Sequence, residues 1–257
     1  MSQRHCRRRS QKTLPMLALA GLVLTTACQS TPDGQDAAIA TSLTQMALTA
    51  ERTNDYSGAV DQYKKLLNRN PKSTDFLIAL ARNLRYLGKS RDALEVLKGL
   101  RPPGIPSIAY RLELAKSDIA AGKAVDAIAV LDLARAQAPN NWEIYSTLGI
   151  AHDLNEDYAK AGQAYQQAQK LSEDNPAILN NMAISAALSG DIDKAISLLQ
   201  NAPRLARHSP QMRQNLAFFY GIKGDMTAAK SLAKMDLDDA AVRKNLAIYS
   251  RFHKKKF

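Results

Sequence analysis

The chain has 257 residues, 46% of them hydrophobic and 23% charged, which is ordinary for a soluble folded protein and long enough for a sizeable core. Its formal charge is +11, yet no basic helix interleaved with aromatic residues accompanies that charge, which argues against a nucleic-acid partner. With only Cys6 and Cys28 present, a disulfide framework is excluded.

The first 28 residues read as a targeting segment. A basic stretch ending at Lys12 precedes the apolar run from Leu14 to Leu24, which is too short to span a bilayer but suits a signal-peptide core. The run closes on Thr25-Thr26-Ala27-Cys28, which resembles a bacterial lipobox; Thr25 departs from the Leu or Val usual at that place. The resemblance implies cleavage between Ala27 and Cys28 and lipid attachment at Cys28, against the alternative of an ordinary secretory signal with an incidental cysteine. Removing residues 1–27 takes away Arg4, Arg7, Arg8, Arg9 and Lys12, so the net charge falls from +11 to +6. Residues 28–38, with the polar stretch QSTPDGQD, are expected to form a lipidated N-terminus and flexible tether. Gln29 and not Asp follows the anchor cysteine, which in lipoproteins of this kind implies the periplasmic face of the outer membrane.

From about residue 40 the chain repeats at a period of 34. One column reads Ala47, Ala81, Ala115, Gly149, Ala183, Ala217; another reads Ala59, Ala93, Ala127, Ala161, Ala195, Ala229. The residue before the first column is always large and apolar: Met46, Leu80, Leu114, Leu148, Met182, Leu216. Between the columns stand Asn54, Gly88, Gly122, Glu156, Gly190 and Gly224, mostly the glycine that a left-handed helix end favours. Each unit therefore predicts two antiparallel helices brought close by small residues at their crossing. The first pair is expected over Leu43–Thr53 and Ser57–Asn68, and the second over Asp75–Leu87 and Ser90–Leu100. In the last two pairs Gly190-Asp191 and Gly224-Asp225 give a helix stop followed by an Asp N-cap. After Leu237 the register slips: Asn245-Leu246-Ala247 matches Asn215-Leu216-Ala217 at a spacing of 30. Asp239–Phe252 reads as a lone helix covering the apolar face of the last pair, followed by a basic tail.

These columns resemble the tetratricopeptide repeat, with Pro71 and Pro139 at the terminal proline position of that motif. The resemblance implies an all-α, right-handed superhelical solenoid of about six repeats plus a C-terminal capping helix, over residues 39–257. Such arrays are binding scaffolds. The chemistry of an enzyme is not apparent: His5, His152, His208 and His253 share no metal-ligand spacing, the glycines do not cluster, and no cofactor is implied. His152 stands where these repeats commonly place an aromatic, so a packed side chain is expected there.

The closing stretches, LNNMAISAALSGDIDKAISLL, RQNLAFFYGIKGD and DLDDAAVRKNLAIY, resemble the TadD-type lipoproteins of the tight-adherence (Tad/Flp) pilus apparatus. That resemblance implies an outer-membrane-anchored, periplasmic, pilotin-like factor assisting secretin assembly, with a pilus secretin or another pilus assembly component as protein partner. A type IV pilus pilotin and an adaptor for periplasmic peptidoglycan enzymes are the alternatives. In such solenoids the first helix of each pair lines the concave face. The position after the small crossing residue reads Leu48, Arg82, Lys116, Ile150, Ile184, Phe218. With Arg85, Tyr86 and Leu188 nearby, and Asn180 and Gln214 one turn earlier, the expected groove is basic in its first half and apolar in its second. It would take an amphipathic segment acidic at one end. The competing expectation is that the apolar half packs against the terminal helix or a neighbouring repeat.

Overall fold

A computed structural model describes residues 32–99, 104, 106–203 and 209–254, with side chains from residue 35. Among these residues there are thirteen α-helices and no strands. They are α1 (Pro32–Arg52), α2 (Tyr56–Arg69), α3 (Thr74–Tyr86), α4 (Ser90–Gly99), α5 (Ile108–Ala120), α6 (Ala124–Gln137) and α7 (Trp142–Leu154). The chain continues through α8 (Tyr158–Leu171), α9 (Pro176–Leu188), α10 (Ile192–Gln200), α11 (Pro210–Lys223), α12 (Met226–Ala233) and α13 (Asp239–Lys254). Six pairs and a terminal helix are thus present as expected, with boundaries within two residues of the expected ones except at the start. There α1 begins at Pro32, so the polar residues 32–38 are helical instead of forming an irregular tether. Proline is tolerated in a first helical turn, and Ala37 and Ala38 are strong helix formers.

All twelve positions of the two small columns are buried, the eleven alanines at 0% exposure. A Cβ added to Gly149 would lie 2.4 Å from the Tyr165 ring, so only glycine fits that crossing with the ring in place. The turn column behaves uniformly. All six residues, Asn54 and Glu156 included, have positive φ. In each pair the next residue's N–H donates back five residues, from Asp55 to Ala50 O at 2.8 Å through Asp225 to Tyr220 O at 2.9 Å. This closes the last turn of every first helix. Asp55, Asp157, Asp191 and Asp225 then cap the second helices, each accepting from a backbone N–H three residues on. First helices are capped by a column of their own, Ser73, Ser107, Asn141 and Asn175.

Residues 39–257 form one compact unit, within which the apolar core is distributed. Four successive clusters run from Ala40 to Tyr249, each centred on one or two pairs and the helix that follows. Every second helix from α2 onward packs on the first helix of the next pair, and first helices from α3 to α13 pack on one another in sequence. Burial is thus supplied by neighbours along a line, as in a solenoid. No helix among the described residues is long and apolar enough to cross a membrane.

Candidate binding groove

The first helices carry the residues expected to face a partner, and the structure divides them into three groups. In the first group are the cations. Arg82 Nη2 lies 2.9 Å from Glu51 Oε1, joining α3 to α1. Arg85 forks onto Glu113 of α5, with Nε to Oε1 at 2.8 Å and Nη2 to Oε2 at 3.2 Å. Lys116 Nζ meets Glu143 Oε1 of α7 at 2.5 Å. Successive first helices are therefore stapled by ion pairs, and the half of the groove expected to be basic is neutralised. The Glu113 side chain is only 5% exposed, which makes the bidentate Arg85 pair the most shielded of the three. Tyr86 is exposed beside this ladder, with the Arg85 guanidinium 4.8 Å from its ring centre and the Tyr56 ring tilted against it at 4.9 Å.

The second group forms a hollow of about 440 Å³ lined by Ile119, Ile150, Leu154, Tyr158, Ile184 and Leu188. Five first-helix residues here, Ile119, Ile150, Leu154, Ile184 and Leu188, come from α5, α7 and α9, with Ile150, Ile184 and Leu188 in the expected register; Leu154 and Leu188 are exposed at 43% and 52%. Beneath it Asp153 accepts from Tyr165 Oη at 2.8 Å and from Ser185 Oγ at 2.7 Å. Burial pushes the Asp153 carboxyl above the usual carboxylate range, against the opposing effect of those two hydrogen bonds. Burial, with the Asp153 carboxylate, also raises the Tyr165 phenol, which stays protonated as the donor. Asn181 reaches back to Ser146 Oγ at 3.2 Å and ties α9 to α7 at the same edge.

The third group does not face the groove. Phe218 stacks edge-on against Tyr249 at 5.4 Å and Phe252 at 5.6 Å, so α13 covers it. Gly221 admits this contact, since a Cβ there would fall 2.5 Å from Tyr249 Cβ. Asn180 is buried and accepts from Asn215 Nδ2 at 2.7 Å, and Gln214 donates to Asp236 at 2.9 Å. Phe218 of the apolar half thus packs against the terminal helix, as the competing expectation had it, while the amides Asn180 and Gln214 are engaged by Asn215 and Asp236. Tyr158 was not singled out by the sequence; its place at the start of α8, directly after the Asp157 cap, was the available signal.

His152 is half-buried, its Nδ1 without a hydrogen-bond partner, and burial lowers its pKa, so it is a packed neutral imidazole as expected. No group of three or more metal-ligating side chains occurs among the described residues. Ala27 and Cys28 lie outside the described residues, as do the last three residues of the basic tail.

Residues 112–176 and 154–217 match models of the tetratricopeptide repeat. Among curated proteins the sequence has no match. Among solved structures, TTC0263, a thermophilic TPR protein of Thermus thermophilus, superposes with a TM-score of 0.63 at 22% identity, over 70% of this chain and 98% of its own. A tetratricopeptide repeat protein from Parabacteroides merdae gives 0.60 at 14% identity, over 85% and 89%. PilF of Pseudomonas aeruginosa gives 0.58 at 15% identity, over 86% of this chain and 97% of its own. The chain is thus similar to all three in fold, and its repeats are tetratricopeptide repeats.

Proposed function

We propose that this repeat array is a protein-interaction scaffold whose apolar hollow receives an amphipathic segment of a partner. The observation that carries this reading is the set Ile150, Ile184 and Leu188, presented by successive first helices beside a neutralised ladder. An apolar side chain entering there would bury surface at about 25 cal/mol per Å², and the Tyr158 and Asn181 rim offers polar contacts. The ion-paired ladder makes a strongly acidic segment unnecessary, since Arg82, Arg85 and Lys116 already have carboxylates. With the lipobox-like Cys28 and the Tad-like closing stretches, we read the scaffold as an outer-membrane-anchored, periplasmic pilotin-like factor. Its partner would be the secretin of a Tad/Flp pilus machine.

Binding of the purified C-terminal segment of the cognate secretin tests this. Ile184→Arg would place a cation in the hollow, and is expected to weaken binding at least about tenfold while the fold is retained. Unchanged affinity would remove the hollow as the site, and absence of binding by the parent chain would remove the secretin as partner. For the anchor, Cys28→Ser should abolish metabolic labelling with palmitate and release the chain from membranes; retained label would refute lipidation at Cys28.

A further inference from the structure

The pair α11–α12 provides a template for a surface that α13 presents uncovered. On α11 the small residue Ala217 is buried at 0% under α12, in one cluster with Ala229 of that helix. Where α12 ends, Asp236 is clamped by the other side of the crossing: Arg213 pairs with it through Nε and Nη2, and Gln214 Nε2 donates at 2.9 Å. A small crossing residue with two donors one turn before it thus holds a covering helix that carries a small residue, and an acid seven positions later, in the turn just past the end of that helix.

Helix α13 repeats this arrangement thirty residues on. Arg243 and Lys244 stand at the places of Arg213 and Gln214, and Ala247 at that of Ala217. Its inner face follows the template, with Val242 and Tyr249 buried as Met212 and Phe219 are in α11. The outer face does not. Ala247 is exposed, the one member of its column of small residues so placed among the described residues, and Arg243, Lys244 and Arg251 around it are exposed too. Neither Arg243 nor Lys244 makes an ion pair among the described residues; Asp239, the nearest carboxylate on the helix, is engaged by Lys234 at 3.0 Å. Ile248, 37% exposed, adds an apolar edge.

We propose that the outer face of α13 is a docking site for a helix of a partner protein, one with a small residue at the crossing and an acidic residue seven positions later, just past its C-terminal end. The charge selects the occupant. Lys244 and Arg251 lie one turn either side of Ala247, so two copies of α13 face to face would set cation against cation, whereas an acidic helix end is matched. The small residue selects a close helix crossing over a loosely held chain. This site is on a different helix from the apolar hollow and stands whether or not the hollow binds a secretin.

The probe is a helix-stabilised peptide copying residues 226–238, which contains both Ala229 and Asp236, titrated against the full chain. The parent peptide should bind, and the same peptide with Asp236→Lys should bind at least about tenfold more weakly. Replacing Arg243 and Lys244 by Glu in the protein should invert that preference. Such a reversal cannot come from the peptide invading the α11–α12 pair, where Arg213 is unchanged. Ala247→Leu, at an exposed position, should leave the melting temperature of the chain unchanged and block the peptide. Failure of the parent peptide to bind, or failure of the charge exchange to invert its preference, overturns the proposal. So does sedimentation with phosphatidylglycerol vesicles, lost on the Arg243 and Lys244 exchange, in a chain that ignores the peptide; the occupant would then be an anionic membrane.

Discussion

Glu51 and Asp153 occupy the same register three repeats apart, and among the differences between the two places one column decides the charge of the surface. Each carboxylate lies in the last turn of a first helix, each acts on a tyrosine of the following helix, Tyr63 or Tyr165, and each accepts from the next first helix, Asn83 at 2.6 Å or Ser185 at 2.7 Å. The tyrosines share a column and so do Asn83 and Ser185. What changes is Arg82, which pairs with Glu51, against Ile184, which offers Asp153 no charge. With arginine the surface is a closed, ion-paired ladder; with isoleucine it is an apolar hollow over an unneutralised carboxylate. The period fixes where helices cross, and one column of the exposed face sets what the groove can bind.

The crossing beneath the tyrosine offers the largest test of that comparison. Ala47 accompanies Tyr63 in the first pair, but at Gly149 a methyl would meet the Tyr165 ring. Gly149→Ala must displace the ring and its bond to Asp153, at a cost of about 2–4 kcal/mol. Ala161→Leu, at the facing 0% exposed position, should cost about 1–3 kcal/mol by overpacking. Thermal unfolding reads both. A parent-like melting temperature for Gly149→Ala would show that the fourth pair tolerates what the first does.

The carboxylate itself gives the next effect. Because burial raises the Asp153 pKa in the folded chain, the native state holds that proton more tightly than the unfolded one. Its contribution to stability is therefore complete below the ordinary value of 3.8 and is lost as the pH rises through the higher folded value. Asp153→Asn should remove this loss, so denaturant unfolding should show the variant gaining on the parent as the pH is raised above 3.8. Tyr165→Phe should do the opposite, costing about 1–2 kcal/mol near neutral pH and less in acid, where the carboxyl is protonated. A difference between parent and Asp153→Asn that does not vary with pH would mean that Asp153 titrates normally.

What the sequence showed and what it hid follow from the same periodicity. Crossings and turns stand in strict columns, so Gly149, Ala161 and the six turn residues were legible, as was the hollow at Ile150, Ile184 and Leu188. The cap column Ser73, Ser107, Asn141, Asn175 has the same period and could have been read. The ion pairs could not: Glu51, Glu113 and Glu143 fall in three different columns, and stepping by 34 brings none of them to its own partner, since Glu51 lands on Arg85, which pairs with Glu113 instead. Phe218 misled for a related reason. Its column places it in the groove, but the spacing shortens to 30 before α13, and the rings of Tyr249 and Phe252 are carried over it.

The smallest effect lies in the turn column, where the two non-glycine members mark the same first and fourth pairs. Glu156 and Asn54 both sit at φ 58°, a conformation that four glycines in the column adopt without a Cβ. Asparagine enters this region more readily than most residues, so the strain should be concentrated at Glu156. Glu156→Gly relieves it but also loosens the unfolded chain, which offsets part of the gain. A net stabilisation of about 0.5–1 kcal/mol is expected, and less from Asn54→Gly. The reverse change, Gly88→Ala at φ 73°, meets no atom within 4 Å of the added Cβ, so any loss there measures backbone conformation alone. If Glu156→Gly leaves the melting temperature unchanged while Gly88→Ala lowers it, the fourth turn is held in the left-handed region by something other than its backbone. Its place on the rim of the hollow would then be the reason to keep a charge there.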